Sequence, residues 1–307
     1  MADIIFMGTP DFAVPTLQAL IKNHRVIGVV TQPDRPAGRN RQLQPSPIKQ
    51  TALAAGIPVF QPEKLRKPEA IEELRQLGTP DVYIVAAFGQ ILPQSVLDIP
   101  PHGSVNVHAS LLPRWRGAAP IQAVIRAGDA QTGITIMQMD AGLDTGPMLS
   151  QRAIPIAPDE TSQSLHDKLA LLGAELLTET LPRFLAGEIT PQPQDDAHST
   201  LAPRITKDEG RINWNTDAAS IERAVRAFTP WPGTFTFWGD RQLKILSGST
   251  GTDSAAPGKV VKNANGIAIG TGDGLVYPMR LQLAGGKPVT IDEFVNGHAD
   301  FIGAQLT

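Results

Sequence analysis

The chain has 307 residues, 27 Lys/Arg against 30 Asp/Glu for a formal net charge of −3, and no cysteine. The lack of cysteine excludes disulfides, thiolate catalysis and cysteine-ligated zinc, and fits a reducing cytoplasm. The slight negative charge means that bulk electrostatics attract no polyanion, so any RNA contact must come from a local basic patch.

With 41% hydrophobic and 19% charged residues, the chain can bury real cores, and its length points to about two domains. The opening MADIIFMGTP lacks the basic start and long apolar run of a signal peptide. No apolar stretch approaches the roughly 18 residues that span a bilayer. The expectation is a cytoplasmic protein without membrane contact. In chain order, Ile4–Met7 reads as a strand, followed by a Gly-Thr-Pro turn and a helix over Phe12–Lys22. Val26–Thr31 is the next strand, and Gln32–Pro47 a Pro/Gly/Arg loop. A helix (Ile48–Ala55), a strand (Pro58–Phe60) and a helix (Glu69–Leu77) follow. Asp81–Phe88 and Ser104–His108 read as further strands. Strands separated by helices imply an α/β domain with a mainly parallel sheet and helices on both faces. Ile134–Met139 and Met148–Ile156 read as two antiparallel strands. Thr161 or Ser162 caps a long helix that stops at Gly187. EITPQPQDDAHSTLAPRI, Glu188–Ile205, is polar, proline-rich and aperiodic, as a linker is. Beyond it come Arg211–Trp214, a helix over Ala218–Phe228 and short strands broken by Gly turns, the pattern of a small β-barrel.

Two segments carry chemistry. In Asn106-Val-His-Ala-Ser-Leu-Leu-Pro-Arg-Trp-Arg-Gly-Ala-Ala-Pro120, Asn106 and His108 are two apart on a strand, so they share a face. They stand at the C-terminal end of that strand, where open α/β sheets place ligands. The second segment, Asp140-Ala-Gly-Leu-Asp-Thr-Gly146, is a glycine-rich loop that can bring Asp144 beside His108. On spacing alone, an Asn-x-His pair is more often structural, and an Asp after Gly-Leu is usually a turn residue.

NVHASLLPRWRGAAPIQ together with DAGLDTG resembles the formyltransferases that use 10-formyltetrahydrofolate. FMGTPDFA, TQPDRPAGR and RAFTPWPG narrow the resemblance to the enzymes acting on methionyl-tRNA, over nearly the whole chain. The resemblance implies a Rossmann-like catalytic domain (residues 1–188), a linker (189–206) and an OB-like C-terminal barrel (207–307) that binds tRNA. It implies Asn106, His108 and Asp144 as catalytic residues. It puts the folate site along Phe88, Gln90, Ile91, Leu92, Ser110, Leu111, Leu112 and Pro113. It places Arg35, Arg39 and Arg41 of the basic loop, and Lys207, against the initiator tRNA. Moving a formyl group between nitrogens passes through a tetrahedral oxyanion. Asn106 and a protonated His108 can donate to that oxygen, and Asp144 can hold His108 protonated and accept or relay the amine proton. The expected co-substrates are 10-formyltetrahydrofolate and methionyl initiator tRNA, with no metal, no nicotinamide nucleotide and no obligate protein partner.

Three rivals stand beside this reading. One is another 10-formyltetrahydrofolate enzyme, a formyltransferase or hydrolase acting on a small substrate. A dinucleotide-dependent oxidoreductase is disfavoured because the first βα turn, GTPDFA, lacks the GxGxxG fingerprint. A non-catalytic RNA-binding module would not need the Asn/His/Asp set.

Overall fold

Apolar runs with little alternation, such as DIIFMG and VYIVA, have the composition of strands covered on both faces, and the computed structural model, which describes residues 1–37 and 42–307, places them in the middle of a sheet. The chain divides into two units. The first comprises Met1–Pro120, Gln131–Pro155 and His166–Pro203; the second comprises Ile121–Ala130, Ile156–Leu165 and Arg204–Thr307.

Through the first two-thirds of the chain the elements are β1 (Asp3–Gly8), α1 (Val14–Asn23), β2 (Arg25–Val30), β3 (Arg35–Ala37), β4 (Gln42–Gln44), α2 (Pro47–Ala54), β5 (Val59–Phe60), α3 (Pro68–Arg75), β6 (Val82–Ala86), α4 (Gln94–Leu97), β7 (Ser104–His108), α5 (Pro120–Ala127), β8 (Gln131–Gln138), β9 (Met148–Pro155) and α6 (Ser162–Leu185). The sheet of the first unit has seven strands in the order β5-β2-β1-β6-β7-β8-β9. Pairing is parallel from β5 to β7 and antiparallel from β7 to β9. The order reverses direction between β1 and β6, which is the topological switch point where such sheets bind ligands. One surface of α6 buries Leu165, Leu169, Leu177 and Leu181. Its Gly173 lies so close to β7 that an added Cβ would stand 2.8 Å from a methyl of Val107, which seats the helix directly on the strand carrying Asn106 and His108. Gly187, at φ +73°, ends the run, as expected of a left-handed stop.

Two expectations shift. The turn after β1 holds a short 3-10 stretch, Asp11–Ala13, before α1 begins. The stretch read as a loop from Gln32 to Pro47 contains a small antiparallel ladder, β3 against β4. Its sequence has proline in one strand and no apolar alternation, so nothing in its pattern announced pairing. Residues 189–203 group with the first unit: Gln192 pairs with Met148, and Thr200 and Ala202 pair with Arg116.

The second unit adds α7 (Ala218–Ala227), β10 (Thr234–Trp238), β11 (Arg241–Gly251), β12 (Val260–Asn263), β13 (Gly266–Gly270), β14 (Leu275–Leu283), β15 (Val289–Thr290) and α8 (Ile291–Gly297). Asp217 caps α7 by accepting the Ser220 N–H at 2.7 Å. Its strands run antiparallel in the order β10-β11-β14-β13-β12, with β15 on β14. The two ends of that order are joined by the C-terminal residues. The N–H groups of Gly303 and Leu306 donate to the carbonyls of Val260 and Gly258 on the β12 side, Val260 N–H donates to Ala304 O, and Thr307 exchanges two backbone hydrogen bonds with Phe237 of β10. The side chain of Leu306, 2% exposed, drops into the core beside Trp214, Trp238 and Phe301.

This closure predicts that Leu306→Ala weakens the second unit by about 2–5 kcal/mol, the usual loss for a buried leucine. Urea unfolding followed by tryptophan fluorescence measures it, since Trp214 and Trp238 both lie in that core. An unchanged midpoint would show that the segment closes nothing.

Candidate functional site

β7 reads SVNVH, and all five residues are buried. In a strand covered on both faces, a buried polar side chain must find a partner or carry a large desolvation cost. Asn106 and His108, 8% and 5% exposed, share one face of β7 and find the same partner. The Asn106 amide Nδ2 stands 3.5 Å from Asp144 Oδ1, and His108 Nδ1 stands 3.6 Å from Asp144 Oδ2. The Gly117 backbone N–H donates to Asp144 Oδ2 at 2.8 Å. The set expected from the sequence is therefore assembled, with a main-chain donor as an added member.

Asp144 reaches this position from a strained backbone, φ +53°, a region that only glycine adopts freely and that Asn and Asp tolerate best. The other acid of its loop does the turn work. Asp140 Oδ1 accepts from Gly142 N at 3.0 Å and from Thr145 Oγ1 at 2.7 Å, which leaves Asp144 for the site. The far side of the imidazole meets the Trp115 carbonyl oxygen, 3.0 Å from Nε2. A carbonyl only accepts, so Nε2 carries a proton here. Nδ1 then faces the Asp144 carboxylate at 3.6 Å, ion-pair and not hydrogen-bond range. The tautomer is assigned from this network.

The loop supplying Trp115 and Gly117 is tied down on two sides. Ser110 Oγ donates to Arg114 O at 2.7 Å, and Thr135 Oγ1 to Ser110 O at 2.7 Å. Gln151 Nε2 donates to Leu112 O at 2.8 Å, beside a cis Leu112–Pro113 bond. On the other side, Trp115 N donates to Thr200 Oγ1 at 2.9 Å.

The residues expected along the folate site fall on the loops after β6 and β7, which are neighbouring strands. They differ in what they offer. Ile91 is exposed, and Leu111 and Pro113 are partly exposed. Phe88, Leu92, Ser110 and Leu112 are buried. The Gln90 side chain is engaged, accepting from Leu65 N and donating to Pro62 O, both at 2.8 Å. At the switch point Thr9 Oγ1 donates to Phe88 O at 2.9 Å, and Gln32 Nε2 to the carbonyls of Phe88 and Gly89 at 3.1 Å.

Of the residues expected to meet tRNA, Arg35 is exposed and donates to Gln32 Oε1 at 3.0 Å. Arg39 and Arg41 lie outside the described residues. The root of their loop is anchored by Asp34, whose carboxyl is held below the usual range by the Lys49 ammonium at 2.6 Å and by the Gln61 amide. Lys207 is exposed in a 3-10 turn of the second unit. Among the described residues, no three His, Asp or Glu side chains are grouped as a metal site requires.

The sequence reading missed Gly117 and Trp115 because both act through main-chain atoms. Position 117 admits only glycine: its φ is +119°, and an added Cβ would stand 2.7 Å from the Ala202 carbonyl oxygen. Gly117→Ala should therefore pull the N–H off Asp144 and lower turnover by about tenfold or more, since small misplacements of reacting groups carry losses of that order. The check is kcat together with an unchanged far-ultraviolet circular dichroism spectrum. Undiminished kcat in a folded variant would remove Gly117 from the site.

The same tandem arrangement is found in known proteins. A family model described as formyl transferase matches residues 2–181, and one described as formyl transferase, C-terminal domain, matches residues 204–299. The methionyl-tRNA formyltransferase of Citrifermentans bemidjiense is 51% identical over 297 residues, covering 96% of this chain and 93% of the relative. That of Geobacter sulfurreducens is 50% identical over 305 residues, covering 99% and 96%. Among solved structures, an N-formyltransferase from Helicobacter canadensis in complex with folinic acid and dTDP-3-aminofucose is similar with a TM-score of 0.68 at 19% identity, over 91% of this chain and 99% of that one. A methionyl-tRNA formyltransferase from Clostridium thermocellum is similar with a TM-score of 0.54 at 17% identity, over 81% and 93%. At those identities the solved structures speak for the fold alone. The curated relatives extend the likeness through both units at half identity, and the chain belongs to the methionyl-tRNA formyltransferase family.

Proposed function

We propose that the chain moves the formyl group of 10-formyltetrahydrofolate to the α-amino group of methionyl initiator tRNA, in the cytoplasm. One observation supports this above the others: a carboxylate shared by Asn106, His108 and a backbone N–H, at the C-terminal edge of the sheet and next to its switch point. In this reading residues 1–188 carry the chemistry, 207–307 bind tRNA and 189–206 join them.

The neutral amine attacks the formyl carbon directly, and a tetrahedral intermediate forms with negative charge on the formyl oxygen. Asn106 Nδ2 and the Nε2 proton of His108 are the donors for that oxygen. The Nε2 proton, directed at the Trp115 carbonyl in the free protein, is the one the oxyanion draws on as charge develops. Asp144 balances the imidazolium charge and accepts or relays the amine proton; the intermediate then collapses with cleavage of the bond between the formyl carbon and N10, and N10 takes up that proton and leaves as the amine of tetrahydrofolate. No covalent enzyme intermediate is needed. The pterin lies against Ile91, Leu111 and Pro113, over the buried wall of Phe88, Leu92, Ser110 and Leu112 that Gln90 braces. Arg35, Arg39 and Arg41 approach the acceptor end of the tRNA, and Lys207 contributes from the C-terminal barrel. A small-molecule acceptor is the competing reading, since one of the similar folds holds a nucleotide sugar. The half-identity relatives favour tRNA.

Incubation with 10-formyltetrahydrofolate and either methionyl initiator tRNA or a panel of small amines decides between them. Formylmethionine should form only in the tRNA arm, with full yield after chelator treatment. Formylation of small amines alone would overturn the assignment. Asp144→Asn and His108→Ala should each reduce kcat by about 10²–10³ with the fold intact, the usual loss for a transition-state donor or its support. Near-normal turnover in either would take that residue out of the mechanism. Arg39→Ala with Arg41→Ala should raise the tRNA KM and lower the salt slope of tRNA binding by about one unit for each phosphate no longer neutralised, while the folate KM holds. An unchanged tRNA KM and slope would show that this loop does not touch RNA.

A further inference from the structure

We propose that Gln194 is a positioning residue for the reaction, holding the main chain of Asp144 in its left-handed conformation under the grip of buried Arg116. The inference rests on the catalytic reading of Asp144 given above.

Gln194 lies in the proline-rich stretch after α6, far from β7 in sequence. Its Nε2 stands 2.8 Å from the carbonyl oxygens of both Asp144 and Gly146. An amide NH₂ has two protons, and here each has an acceptor. Its Oε1 accepts from Arg116 Nε at 3.0 Å and Nη2 at 2.8 Å. The amide therefore has a single workable orientation. Turned over, it would set oxygen against two carbonyls and NH₂ against a guanidinium.

Arg116 is 6% exposed, and a buried cation needs a full set of acceptors. Asp196 Oδ1, at 2.7 Å, supplies the counter-charge. A charged donor on Oε1 polarises the amide and strengthens the bonds its NH₂ makes. Fixing the carbonyls of Asp144 and Gly146 fixes the peptide planes on the C-terminal side of both residues. Since Asp144 sits at φ +53°, its backbone would relax toward ordinary values without such a hold. Relaxation would swing the carboxylate away from Asn106 and His108.

The arrangement closes on itself. The residue after Arg116 is Gly117, whose N–H holds the Asp144 carboxylate directly at 2.8 Å. The dipeptide 116–117 thus grips the side chain of Asp144 with a backbone donor and its main chain through Gln194. Backbone bonds from Arg116 N to Thr200 O and from Ala202 N to Arg116 O keep the gripping loop in place.

The discriminating variant is Gln194→Glu. It keeps an acceptor for Arg116 but turns two donors into acceptors facing carbonyls. Gln194→Met, of equal length and without donors, is the second variant should the first fail to fold. Each should lower kcat by about 10–100-fold, the scale of a misplaced catalytic group, with both KM values within about twofold. In an Asp144→Asn background, under single-turnover conditions, either variant should cause almost no further loss. Residues that act as one unit are non-additive, whereas a merely structural role would multiply the loss.

Wild-type kcat in a folded variant, or a full multiplicative loss in the double variant, overturns the role of Gln194 and leaves the site reading standing. Near-normal turnover of Asp144→Asn alone fells the site reading, and this inference with it.

Discussion

A carboxylate 15% exposed at the edge of a buried sheet sets the terms for the rest of this structure. A carboxylate drawn this far out of water needs hydrogen-bond donors to offset its desolvation. Asp144 is met from three directions, by an amide, an imidazole and a backbone N–H. Each donor imposes a demand further out. The imidazole needs the Trp115 carbonyl on its other nitrogen. The backbone N–H needs a glycine that can lie against the Ala202 carbonyl. The carboxylate itself needs a backbone turned to φ +53°. The strained backbone at Asp144 is held by the surrounding contacts, as such outliers must be.

The loops that frame the site are held by a common device. Gln32 spans the carbonyls of Phe88 and Gly89, Gln90 ties Leu65 to Pro62, Gln151 holds Leu112, and Gln194 spans Asp144 and Gly146. A glutamine amide can donate to two loop carbonyls, or donate to one and accept from an N–H, without placing a net charge near the reacting atoms. The one buried cation in this framework, Arg116, stands one residue removed, behind Gln194 and paired with Asp196. A rigid sheet supplies the strand ends and neutral side chains fasten the loops, so flexible connections carry a precise constellation.

Much of the fold could be read in the chain. Apolar runs separated by amphipathic stretches announced the parallel sheet because burial on both faces leaves no room for polar alternation. Asn106 and His108 could be paired on one face from the two-residue period of a strand alone. The small ladder β3/β4 was not legible, since it lacks both β-branched residues and alternation. Glu188–Ile205 read as a linker for a similar reason: its contacts to Arg116 and Met148 are backbone bridges and its side-chain bonds are scattered, and neither leaves a periodic trace.

By itself, the sequence determined that Asn106 and His108 share one face of a strand and that Asp144 stands on a glycine-rich loop, because those depend on residue type and local period. It could not determine where Asp144 points, what holds His108 Nε2, or that a glutamine some 50 positions later, Gln194, bonds the Asp144 carbonyl. Those are settled by distances between segments remote in the chain. Main-chain donors and acceptors are the same at every residue, so only the folded backbone decides which of them face the site.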